Sequence, residues 1–150
     1  MIGYHLLMDV AELRKRLRRE LERAKQDPAV RRQDVDAAHA TFESVLERTI
    51  VPLLQQTASI LKAEGVGCHT HTPAGSARLA TDRGSFNFVE FELDPTAQPP
   101  RIVGRFSLDR EKDGVLVEEH AIAGFKPLDQ IGDEDILEFL LPSVRRLASR

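Results

Sequence analysis

The 150-residue chain has one cysteine, one tyrosine, no tryptophan and a net charge of only −3. A lone Cys68 excludes an intramolecular disulfide, and the expectation that follows is a reducing, cytoplasmic setting. Apolar runs are only a few residues long, so nothing predicts a membrane span. The opening residues, MIGYHLLMDVAELRKRL, lack a basic stretch ahead of an apolar one and do not read as a secretory signal. Near-balanced charge gives no overall pull toward nucleic acid or acidic lipid. Glycine is scarce early: Gly3 alone precedes position 65, and the other eight lie between 65 and 132.

What is present, 41% hydrophobic and 30% charged residues, suits one globular domain over 1–150. The glycine boundary divides it into a helical part (1–64), strands and turns (66–124) and a terminal helix (133–148). In the first helix, Leu6, Val10, Leu13, Leu17, Leu21 and Ala24 recur every three or four residues and form one narrow stripe. Asp27-Pro28 signals a new helix start, because Asp caps free N–H groups and Pro at the first position loses no bond. The second helix is then expected over 28–64, antiparallel to the first as an αα-hairpin. It should be kinked near Arg48–Val51 by Pro52, and Gly65 follows its end. Its second half carries two adjacent apolar stripes.

Strands are predicted at Val66–Thr72, Arg78–Thr81, Ser85–Leu93, Arg101–Asp109 and Val115–Ala123. In the last hairpin, pairing Asp109 with Gly114 sets Leu108 opposite Val115, Phe106 opposite Val117 and Arg105 opposite Glu118. Asp133 starts the final helix, with Glu134 and Asp135 at its positive end and Pro142 requiring a kink or break. The fold class expected is α+β: a helical hairpin, a four- to five-stranded antiparallel meander, and a C-terminal helix on one sheet face.

Chemistry-bearing residues are few. His69 and His71 share a strand face and, with His120, form the candidate metal ligands, although no CxxC, HExxH or HxxxH spacing accompanies them. Cys68 faces the other way and lacks a base beside it, so it reads as a small core residue. Gly75 and Gly84 suit turns, and no phosphate-loop pattern surrounds them. Glu90 and Glu92 share a face with Phe86 and Phe88, and no nucleophile or oxyanion donor joins them. From Arg14 to Arg32 there are nine Lys+Arg against three acids, a net of +6, whereas Phe86–Glu138 has thirteen acids against five bases, a net of −8. Arg14, Arg18, Arg19, Arg31 and Arg32 are therefore the candidate contacts for nucleic acid or an acidic partner, without the aromatics that interleave such surfaces.

Three functional expectations result. The leading one is a non-enzymatic protein–protein interaction module, self-associating as a dimer, with Leu13, Leu17, Phe86 and Phe88 as contact residues and no cofactor. The alternatives are a small-molecule or metal-binding protein using His69, His71 and His120, and nucleic-acid binding through residues 14–32.

Overall fold

The structure is a computed structural model that describes residues 9–25 and 27–149. Its contacts group into two compact units, one ending at Asp34 and the other beginning at Val35. The expected helix start at Leu6 and the turn residue Gln26 lie outside the described residues.

The first unit contains α1 (Val10–Ala24) and the start of α2 (Pro28–Val45). Asp9 caps α1 by accepting the Ala11 N–H at 3.1 Å. Asp27 caps α2 in the same way, through the Ala29 N–H at 2.7 Å, and Pro28 is its first residue. Both caps follow from short side chains that accept hydrogen bonds ahead of exposed N–H groups.

In the second unit α2 passes into a π-helical turn, Leu46–Ile50, and then α3 (Val51–Ala63). The expected kink takes this form because Pro52 has no N–H to give Arg48. Within the wider turn Val51 donates to the Leu46 carbonyl, five residues back. The helix stops at Gly65, whose φ is +87°. Gly65 N–H bonds the Lys62 carbonyl (3.1 Å) and Val66 N–H bonds that of Leu61 (2.8 Å), the paired bonds of a left-handed glycine cap.

Five strands follow: β1 (Cys68–His71), β2 (Ser76–Thr81), β3 (Phe88–Asp94), β4 (Arg101–Asp109) and β5 (Val115–Ala121), all antiparallel in sequence order. α4 (Asp133–Ala148) closes the chain. The fold is thus α+β, with a five-stranded open meander. One sheet face carries Leu79, Val89, Phe91 and Ile102. These pack with Phe42, Val45, Ile50 and Leu54 of the long helix and with Ile136 and Leu140 of α4 in one buried cluster.

The last hairpin corrects the expected register by one residue. Arg110 N–H bonds the Gly114 carbonyl at 2.9 Å, so Asp109 faces Val115, Phe106 faces Glu118 and Arg105 faces Glu119. The cause is the loop: Glu111 and Gly114 take φ values of 59° and 80°, and only residues 111–113 lie between the closing pair. The slip turns Glu118 to the helix side, where Arg146 of α4 binds it at 2.8 and 3.3 Å. It leaves Val115 and Val117 exposed on the opposite face.

Gly104 on β4 is needed for close approach. A Cβ there would meet Phe139 ring carbons at 2.7 Å, and that ring packs edge-on against Phe91 with centroids 5.8 Å apart. Gly104→Ala should therefore destabilise the protein by about 1–3 kcal/mol through overpacking, measurable by urea unfolding.

α4 does not break at Pro142; the helix runs through it. The Ser143 hydroxyl donates to the Phe139 carbonyl at 2.9 Å in the affected turn. At the other end, Asp135 accepts the Gly132 N–H at 3.0 Å and both of its oxygens accept from Lys126 Nζ. The Gly132 bond, then Lys126, hold the Asp135 carboxyl below the usual carboxylate range. The unfolded chain binds this proton more tightly than the folded one. The stabilisation is therefore present above the ordinary carboxylate pKa and lost as pH falls through the depressed folded value. Asp135→Asn should lower stability at neutral pH, and its deficit against the parent should shrink in acid, with urea unfolding at both pH values as the readout.

Candidate functional site

The residues singled out in the sequence fall in three places. The first is α1, no residue of which is buried. Val10, Leu13, Leu17 and Leu21 remain 68%, 46%, 54% and 57% exposed along one stripe. Beside the stripe, Arg14, Lys15, Arg18 and Arg19 cluster with Ala11 and Glu22. Arg16 and Arg23 are tied to Glu12 and Glu20 at 3.3 and 3.0 Å. Arg31 and Arg32 are exposed at the start of α2. The spacing of three and four sets both the stripe and the basic side, so one 15-residue helix presents an apolar and a cationic surface together.

The second place is the sheet face away from the helices. Strand register aligns His71, Arg78, Glu90, Arg105 and Glu119 in one row across all five strands. The row alternates in sign from Arg78 onward. Arg78 donates twice to Glu90 Oε2, at 2.6 and 3.0 Å. Arg105 bonds Glu92 and reaches Glu119 at 2.8 Å. The Glu119 hydrogen bond is the main reason the Arg105 guanidinium holds its proton even more tightly than usual. Glu90 is only 4% exposed, so the row is partly withdrawn from solvent.

This arrangement divides the two phenylalanines expected to act together. Phe86 is exposed, whereas Phe88 is buried with the Arg78 guanidinium 3.8 Å above its ring. The sheet face on which they were expected is therefore crossed by a charged row, with Phe86 exposed at its margin and Val115 and Val117 exposed on β5. Among the described residues, the most exposed large apolar one is Phe125, in the loop after β5, which periodicity could not flag because it belongs to no regular element.

The third place holds the histidines. His69 and His71 lie on β1, at one edge of the sheet and on the charged face. His120 lies on β5, at the other edge. The one-residue slip turns His120 to the helix face, where its ring is 5.8 Å from that of Phe139. The structure does not bring the three imidazoles together. Among the described residues, no three His, Cys, Asp or Glu side chains are grouped to hold a metal ion.

The structure instead gives His69 a partner that the sequence reading missed. Its Nδ1 is 3.0 Å from Asp82 Oδ1, across the β1–β2 hairpin. No local pattern flags it, because it depends on the hairpin register that pairs Gly67 with Asp82 two positions before His69 pairs with Ala80. Cys68 lies on the opposite face, 3% exposed, with Sγ donating to the Ala58 carbonyl at 3.5 Å. Burial pushes its thiol pKa up, which makes it a packing residue rather than a nucleophile.

No helix among the described residues is long and apolar enough to cross a membrane. No protein-family model, curated protein or solved structure matches the chain.

Proposed function

We propose that this chain is a non-enzymatic protein–protein interaction module that self-associates through the apolar stripe of α1, in a cytoplasmic setting. The observation that supports this reading is the exposure of Val10, Leu13, Leu17 and Leu21 on a helix that buries nothing. A helix of 15 residues is marginal in water by itself, and its stability ordinarily comes from packing an apolar face. The stripe also has the spacing that helix pairs use. Val10, Leu13, Leu17 and Ala24 fall on a and d positions of a heptad whose other d position is Glu20, with Leu21 next to it. In a parallel pair with that frame, Asp9 of one copy meets Arg14 of the other, so the flanking charges include an attractive contact.

The experiment is size-exclusion chromatography with light scattering over a wide concentration range. A mass of two chains or more is the expected result. A mass of 16.8 kDa, one chain, at every concentration would overturn the proposal.

A further inference from the structure

The mutual position of β1 and the β1–β2 hairpin carries chemistry that helix pairing does not use. His69 and His71 stand two residues apart on a strand, on the same face, with Cα atoms about 7 Å from each other. Both are exposed. They border an open cleft of about 430 Å³ that Arg78, Asp82 and Ser85 also line.

Asp82 is held beside His69 by two features. Its N–H donates to the Gly67 carbonyl at 3.0 Å. Its carboxylate lies over Gly67, where an added Cβ would come within 2.6 Å of Oδ2 and push the carboxylate aside. An ionised carboxylate accepts hydrogen bonds and cannot donate them, so the 3.0 Å contact requires the hydrogen on His69 Nδ1. When the ring is neutral, that tautomer leaves the lone pair on Nε2. A carboxylate behind one ring nitrogen, with the other nitrogen left as the donor atom, is the arrangement that orients metal-binding histidines.

We propose that His69 and His71 bind one divalent transition-metal ion of the imidazole-preferring kind, such as Zn²⁺ or Ni²⁺, with Asp82 as the positioning residue for His69. Imidazole suits these ions, with metal–nitrogen bonds of about 2.0–2.1 Å for zinc. The chain supplies two ligands, and the cleft leaves room for water or a small exogenous ligand at the other positions. The nearest cation in register, Arg78 opposite His71, is neutralised by Glu90 and does not oppose an incoming ion as a free charge would. His120, on the other edge and face, takes no part.

The test uses the full chain without a purification tag. Zn²⁺ and Ni²⁺ are titrated separately by calorimetry, and an imidazole nitrogen NMR spectrum reports the His69 tautomer. The expected results are saturable binding, its loss in His71→Gln, and no change in His120→Gln. Asp82→Asn should weaken binding about 10- to 100-fold and shift the His69 tautomer signals. Circular dichroism melts confirm that each variant folds, which is expected because all these side chains are exposed. Absence of saturable binding by either ion, or binding that survives His71→Gln, would overturn the proposal. Unchanged affinity in Asp82→Asn would remove Asp82 from it.

Discussion

Leu17→Glu should convert the self-associated protein to a monomer. Leu17 sits mid-stripe on α1, and glutamate keeps good helix propensity, so the substitution alters the contact surface and not the helix. A two-fold contact contains two copies of the residue. Covering the exposed part of both side chains is worth about 2–4 kcal/mol, which weakens association roughly thirty- to several-hundred-fold when lost. Because α1 has no buried residue, the second unit should unfold at an unchanged denaturant midpoint once both proteins are measured as monomers. Arg19→Glu, on the basic side of the same helix, should leave the mass unaltered. Light scattering reads all three proteins. A Leu17→Glu protein that still self-associates would place the contact elsewhere.

Phe91→Ala should produce a large loss of stability, about 3–5 kcal/mol. Phe91 is fully buried at the centre of β3, faces Ala77 and Gly104 on its neighbours, and meets Phe139 edge-on. Those small neighbours exist to admit the two rings, and rigid backbone on both sides cannot collapse into the void left by a methyl group. For a domain of this length the melting temperature should fall by roughly 10 °C or more. Phe86→Ala, which removes a similar side chain from a site 54% exposed, should stay within about 0.5 kcal/mol of the parent. Calorimetry on the pair separates packing from mere loss of aromatic area.

The layout was legible wherever a local pattern had one solution. The Asp27-Pro28 start, the Gly65 stop, all five strands and the Asp133 start follow from caps, periodicity and turn chemistry within a few residues of each other. The register of β4 and β5 was not legible. It depends on whether the loop closes at Arg110 or Asp109, a difference set by left-handed backbone at Glu111. Either register offers Arg105 an acidic partner, because Glu118 and Glu119 are adjacent. The choice is reinforced by Arg146, 28 residues further on, which claims Glu118 from the opposite side. The His69–Asp82 contact was hidden for a related reason: it depends on the register of β1 against β2. The alternating row on the open face needed three registers to be right at once, and the burial of Phe88 beneath Arg78 depended on one of them.

The π-helical turn has a consequence for the whole length of the long helix. Before it, the buried positions are Ala38, Phe42 and Val45. Continued at 3.6 residues per turn, that phase would carry Pro52, Gln56 and Ile60 inward. One extra residue in the turn advances the phase by about 100°, so Ile50, Leu54 and Ala58 face the sheet and Ile60 is left 64% exposed. The two neighbouring stripes of the amino-acid pattern are the traces of these two phases. Such a helix tolerates trimming at its ends, yet losing a single residue between Leu46 and Ile50 would swing everything downstream through more than a quarter of a revolution and trade leucine for glutamine at the centre of the fold.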